Sequence, residues 1–121
     1  MIKKIGVIGA GTMGHSIAES FAMFGYNVNL YDTNAAQLEK ALQEIDGEQQ
    51  LLVDEQFITA ENAAATLRNI SIHTDMKSAV QDRDYVIEAA PENMALKQNL
   101  FKQLDEYCPA HTILASNTSS L

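Results

Sequence analysis

Ile5-Gly6-Val7-Ile8-Gly9-Ala10-Gly11-Thr12-Met13-Gly14 decides the fold. A β-rich run ends in three glycines spaced as G-x-G-x-x-G, and a segment with helical patterning follows at once. In that setting each glycine has a mechanical task. Gly9 permits the tight turn out of the strand. Gly11, lacking a Cβ, lets backbone come close to a pyrophosphate. Gly14 lets the following helix pack tightly on the sheet. The helix N-terminus, with Thr12 and Met13 in its first turn, then offers unpaired N–H groups and about half a positive charge to phosphate. The plain alternative is a strand-to-helix turn that holds no ligand.

The rest of the chain repeats this alternation. Thr12–Phe24 carries apolar residues at Met13, Ile17, Phe21 and Phe24, which is helical spacing, and Gly25 ends it. Tyr26–Tyr31 reads as a second strand. Asn34 followed by Gln37 resembles a capping box. It opens a helix with Leu38, Ala41, Leu42 and Ile45 on one face, expected to stop near Gly47. Glu48–Phe57 is polar and fits no single element. Thr59–Leu67 reads as helix, Ile70–His73 as a weak strand, Asp75–Val80 as a helical turn and Tyr85–Ala89 as a short buried strand. Asn93 can cap a helix reaching Tyr107, with Leu96, Leu100, Phe101 and Leu104 inward, and Thr112–Ser116 is the last strand. Strands alternating with helices predict a parallel sheet covered on both faces. Right-handed crossovers narrow this to a Rossmann-type, doubly wound α/β sheet of five strands in the order 3-2-1-4-5, one domain over residues 1–121.

Composition narrows the partners. At 46% apolar and 20% charged residues, the 121-residue chain has an ordinary globular profile. A net charge of −8 argues against nucleic acid or an anionic membrane surface as partner. The single cysteine, Cys108, makes no internal disulfide, excludes a cysteine-rich metal site and fits a reducing compartment. No metal site is expected. The apolar part of the N-terminus is too short for a signal peptide, and no run approaches a membrane span, so a soluble cytoplasmic protein is expected.

Asp32 ends the second strand, eighteen positions after Gly14. An acid there accepts hydrogen bonds from both ribose hydroxyls of an adenosine. A 2′-phosphate about 4 Å away would be repelled by about 4 kcal/mol per unit charge at an effective dielectric of about 20. A hydrogen bond to a charged group returns only ~1.5–3 kcal/mol. Thr33, Asn34 and Ala35 supply no cation to reverse this, so NAD is expected over NADP. Asp32 can also serve as a helix N-cap. Two further segments leave the carboxyl edge of the sheet, where ligands of open α/β sheets bind. One is Glu88-Ala89-Ala90-Pro91-Glu92-Asn93, in which Glu92 could equally be a first-turn helix charge and an internal Glu88 needs a partner. The other is Ala115-Ser116-Asn117-Thr118-Ser119-Ser120, whose hydroxyls and amide suit a carbonyl or hydroxyl of a ligand, or a plain polar turn.

Taken together, Ile5–Gly14, Tyr85-Val86-Ile87-Glu88-Ala89, Pro91-Glu92 and Ile113–Leu121 resemble the N-terminal NAD-binding domain of the 3-hydroxyacyl-CoA dehydrogenase family, which includes 3-hydroxybutyryl-CoA dehydrogenases. The resemblance runs through nearly the whole chain. It implies an enzyme that interconverts (S)-3-hydroxyacyl-CoA and 3-ketoacyl-CoA with NAD. By position, Gly9, Gly11, Thr12, Met13 and Gly14 would hold the pyrophosphate and Asp32 the adenine ribose. Glu92 and Lys97 would lie on the nicotinamide ribose side. Ser119 would touch the nicotinamide and orient the substrate's reacting oxygen, and Asn117 would organise that loop. The family's catalytic histidine and the glutamate that orients it come later than Leu121, as does the helical C-terminal domain. His15, His73 and His111 do not match the catalytic position.

Two expectations follow. The isolated chain should bind NAD(H) without turning over 3-hydroxyacyl-CoA. The stretch Ala41–Leu67, where family members often place cations near the CoA phosphates, contains no lysine or arginine and offers CoA no such contact. The competing reading is a non-catalytic NAD(H)-sensing Rossmann module, because fold alone does not fix function. Self-association is also expected, through an unpaired outer edge on the last strand or through surface that the family's C-terminal domain normally covers.

Overall fold

The computed structural model describes residues 2–89 and 94–116, with residues 94–98 described by backbone alone. Among the described residues, β1 (Lys4–Ile8), β2 (Asn27–Tyr31), β3 (Ile70–His73), β4 (Tyr85–Glu88) and β5 (Ile113–Ser116) form one sheet. Its order is β3-β2-β1-β4-β5 and every pairing is parallel. The expected topology is therefore the observed one. The first strand begins at Lys4 rather than Ile2.

The helices are α1 (Thr12–Met23), α2 (Ala35–Asp54), α3 (Ala60–Arg68), α4 (Met76–Val80) and α5 (Met94–Tyr107). Ala18 and Ala22 of α1 pack with Leu38, Ala41 and Ile45 of α2 over Ile5, Val7, Val28 and Leu30. On the opposite face Met76, Ala79 and Val80 of α4 and Leu104 of α5 pack with Ile8 and Val86. Strand β1 feeds both cores. That is why its sequence is a continuous apolar run instead of an alternating one.

Gly25 ends α1 as expected, at φ +91°. Gly47 does not end α2, which continues to Asp54. A mid-helix glycine costs ~1 kcal/mol relative to alanine. Ile45 before it and Gln49 after it are both fully buried, and burying one isoleucine contributes ~1.5–3 kcal/mol. Packing outweighs the local signal, and most of the polar Glu48–Phe57 stretch is helix.

The registers position the site. Ile8 pairs with Tyr31 of β2 and with Glu88 of β4, and Glu88 pairs with Ser116 of β5. The ends of four strands therefore align, and Gly9, Asp32 and Ala89 leave the sheet at one edge. The chain turns from β1 toward β2 on one side, while β4 joins β1 on the other, which opens the crevice where ligands of such sheets bind. Among the described residues no helix is long and apolar enough to cross a membrane.

Candidate functional site

The glycine turn is built from backbone. Gly9 adopts φ +105°, a region that side chains disfavour, and its N–H donates to the Tyr31 carbonyl at 2.7 Å. A Cβ on Gly14 would lie 1.7 Å from the Gly9 carbonyl oxygen, so only glycine lets α1 sit on the turn. Gly11 is different. Its φ of −73° suits any residue, and a Cβ there would meet only Gln37 Nε2, at 3.8 Å. Among the described residues, backbone conformation accounts for glycine at 9 and packing for glycine at 14, and neither accounts for it at 11, where the absent Cβ leaves room at the mouth of α1.

That mouth is open to an anion. Gly11 is the N-cap of α1, and among the described residues no side chain caps it. The N–H of His15 donates to the Gly11 carbonyl at 2.9 Å, so the amides of Thr12, Met13 and Gly14 precede the first intrahelical bond and have no acceptor in the helix. Those donors, on the positive end of the helix dipole, fit a pyrophosphate.

Asp32 closes the site on the β2 side. Its Oδ2 accepts from the Ala10 N–H at 3.0 Å and its Oδ1 from the Asn34 N–H at 2.9 Å. The carboxylate is half-buried, and each oxygen has a second lone pair for a ribose hydroxyl. The N-cap of α2 is Asn34, whose Oδ1 accepts from the amides of Ala36 and Gln37. The capping box is not completed. Gln37 Nε2 instead donates to the Ala10 carbonyl at 3.2 Å. Ala10 is thus gripped at its N–H by Asp32 and at its C=O by Gln37. The sequence signal Asn34-x-x-Gln37 was legible, but as a cap; that Gln37 braces the glycine turn was not.

At the end of β4 Glu88 is fully buried, and Ser116 Oγ at the end of β5 donates to its Oε1 at 2.9 Å. This supplies the partner an internal glutamate requires and joins the two strand ends at the carboxyl edge. Of the remaining candidates, Glu92, Asn117 and Ser119 lie outside the described residues, and Lys97 lies on α5 where only backbone is described.

The histidines are dispersed. His111 sits 3.2 Å from Asp84, whose carboxyl is held down to about 2, chiefly by the backbone amides of Lys3 and Lys4. That is the amino edge of the sheet, away from the site. His73 lies on β3, where burial and the nearby Arg83 cation disfavour its charged form. Only His15 touches the glycine turn. Cys108 is a half-buried thiol pushed up to about 11, chiefly by desolvation, too high for a nucleophile.

Residues 4–121 match the sequence model of a family described as 3-hydroxyacyl-CoA dehydrogenase, NAD binding domain. The chain is 42% identical over 120 residues to a probable 3-hydroxybutyryl-CoA dehydrogenase of Bacillus subtilis, covering 99% of this chain and 42% of that protein. It is 41% identical over 128 residues to the mitochondrial hydroxyacyl-coenzyme A dehydrogenase of Sus scrofa, covering 100% of this chain and 40% of that one. Its fold superposes on the crystal structure of 3-hydroxybutyryl-CoA dehydrogenase from Escherichia coli K12 with a TM-score of 0.96 at 40% identity, covering 100% of this chain and 25% of that one. The chain thus spans less than half the length of these relatives.

Proposed function

The chain belongs to the 3-hydroxyacyl-CoA dehydrogenase family, as an NAD-binding domain, and from that premise we propose that it is the cofactor-binding portion of an oxidoreductase interconverting (S)-3-hydroxyacyl-CoA and 3-ketoacyl-CoA. The observation that carries the reading is Gly11. Neither its backbone conformation nor its packing against the described residues requires glycine, whereas a pyrophosphate lying against the loop does.

Bound NAD supplies the acceptor for the hydride that leaves the hydroxyl-bearing carbon. Gly9, Gly11, Thr12, Met13 and Gly14 hold the pyrophosphate by backbone. Asp32 takes the adenine ribose hydroxyls and turns away a 2′-phosphate. Glu92 and Lys97 serve the nicotinamide ribose side, Asn117 organises the loop after β5, and Ser119 orients the substrate oxygen. The hydroxyl proton needs a base, and general-base catalysis requires a group within hydrogen-bond reach of that proton. His111 lies at the amino edge, His73 ends β3 beyond β2 on the side away from β4 and β5, and His15 is committed beneath the turn. The 121-residue chain therefore binds NAD(H) and does not turn over. Among the described residues β5 pairs only with β4 at the rim of the sheet, and self-association through that strand belongs to the same reading.

The test is a calorimetric titration of the 121-residue chain with NADH, with NADPH as control. NADH binding with NADPH at least about tenfold weaker is expected, since repulsion at Asp32 exceeds the hydrogen bonds lost. Equal binding of both overturns the role of Asp32, and binding of neither overturns the dinucleotide site. Consumption of NADH above background with acetoacetyl-CoA overturns the expectation that the isolated chain is inactive.

A further inference from the structure

His15 lies in the first turn of α1, beneath the glycine loop, and is only 3% exposed. Both of its ring nitrogens meet acceptors. Nδ1 stands 3.0 Å from the Gly11 carbonyl oxygen. Nε2 stands 3.3 Å from Glu44 Oε2 and 3.3 Å from Glu48 Oε1, both on α2. A neutral imidazole donates from one nitrogen and accepts at the other. If Nδ1–H points at Gly11, a bare Nε2 aims its lone pair at two carboxylates. If Nε2–H points at α2, a bare Nδ1 faces a carbonyl oxygen. Every contact is satisfied together only when both nitrogens carry protons.

The surroundings add charge on several sides. Glu19, one turn along α1, is buried, and its Oε2 accepts from Gln49 Nε2 of α2 at 2.6 Å. Burial and the neighbouring Glu48 raise its carboxyl to about 7. The same contact with Glu19, followed by that with His15, holds Glu48 below the ordinary range. Lys40 on α2 reaches Glu44 at 3.9 Å. Helix α3, packed against α1 and α2, carries Glu61 and Arg68, both exposed, near its two ends. The strands beneath bring Lys4 at the amino edge of β1 and His73 on β3. The loop itself brings Asp32, already engaged with Ala10 and Asn34.

We infer that His15 is a positioning residue for the dinucleotide, its doubly protonated ring tying Gly11 to the shaft of α2 and placing a positive charge in the first turn of the phosphate-binding helix. The inference rests on the NAD reading of the loop and adds a residue to it. Gly11 is where backbone approaches the pyrophosphate, and its carbonyl is fixed from below by Nδ1–H. The bond spans from residue 15 to residue 11 and then, through Nε2, to residues 44 and 48. It couples the turn to the neighbouring helix independently of the Asp32 and Gln37 contacts on Ala10. Cutting either tie frees the Gly11 carbonyl and loosens the turn against which the pyrophosphate lies, so dinucleotide affinity falls.

The test is NADH titration of the chain for the parent, for His15→Gln and for the double variant Glu44→Gln with Glu48→Gln. The Kd of His15→Gln is expected to rise about threefold or more, the size of a charge effect at a helix terminus. The double variant should weaken binding in the same direction, because it cuts the Nε2 tie and leaves His15 in place. His15→Gln with the parent's affinity overturns the inference. Nitrogen NMR of the ring in the parent, under the conditions of the titration, reads the proton count without any variant: two protonated nitrogens support the inference, and a neutral tautomer overturns it. A parent that binds no NADH sinks the dinucleotide reading and this inference with it.

Discussion

Asp32 and Ala10 are joined by a hydrogen bond of 3.0 Å, from the alanine amide to carboxylate Oδ2, that fastens the end of β2 to the middle of the glycine turn. The bond uses the Ala10 N–H within the protein, so the donors left for phosphate are those of the first turn of α1. It also fixes the carboxylate plane, because Oδ1 is held by the Asn34 amide at 2.9 Å. The acid is therefore held in one orientation by backbone alone. Preorganisation of this kind lowers the cost of binding.

Asp32→Asn separates the charge of this residue from its shape. The amide oxygen can still accept one of the two backbone bonds, so the loss of stability should stay within about 1–2 kcal/mol. Removing the charge removes the repulsion of a 2′-phosphate. The ratio of NADPH to NADH dissociation constants should fall at least about tenfold, given a repulsion of ~4 kcal/mol at contact distance. An unchanged ratio in calorimetry would show that discrimination lies elsewhere.

Gly11→Ala and Gly14→Ala should part company. At Gly14 the new Cβ would be driven against the Gly9 carbonyl, 1.7 Å away, and backbone has to move. Overpacking of that severity costs about 3 kcal/mol or more, visible as a large drop in the urea midpoint. At Gly11 the Cβ enters open space, 3.8 Å from Gln37 Nε2. Stability should change by no more than about 1 kcal/mol, while NADH affinity falls at least about tenfold because the methyl occupies ligand space. Undiminished NADH binding by Gly11→Ala would remove the main support for the proposed function.

What the sequence disclosed and what it withheld divide along contact range. The glycine spacing, the acid after the second strand and the strand order are readable because each is set by neighbours in the chain or by crossover handedness. An internal Glu88 needs a partner, but only the register of β4 against β5 identifies Ser116 as one. Asn34-x-x-Gln37 reads as a local cap, and the fold sends Gln37 to Ala10 instead. The His15 cluster joins α1 to residues about thirty positions away on α2. It depends on α2 passing through Gly47, and local propensity argued against that. Burial of Ile45 and Gln49 decided it, a tertiary effect that no local pattern contains.

Gly47→Ala tests that explanation directly. Gly47 is exposed in the middle of α2, and a Cβ there would meet nothing within 4 Å. If packing on either side carries the helix through the glycine, alanine should simply remove the local penalty. The variant should gain about 0.5–1 kcal/mol in denaturant unfolding, with NADH binding unchanged. A loss of stability would mean that glycine serves a backbone need at this position.

Glu19→Gln should change how stability depends on pH. The Glu19 carboxyl is raised from 4.5 to about 7, first by burial and then by Glu48. A carboxyl raised in the folded state binds its proton more tightly there than in the unfolded chain. Its contribution is therefore complete below about 4.5 and is lost as pH rises through about 7. Glu48 is shifted downward, so it acts oppositely, and its window lies on the acid side of the ordinary carboxylate range. Between pH 5 and pH 8 the Glu19 effect governs this pair. Glutamine can keep the acceptor for Gln49 Nε2 and offers an N–H toward Glu48, with no charge to desolvate. Relative to the parent, Glu19→Gln should gain about 1–3 kcal/mol more at pH 8 than at pH 5. Thermal melts at the two pH values decide it, and an equal difference at both would mean that the buried glutamate remains ionised throughout.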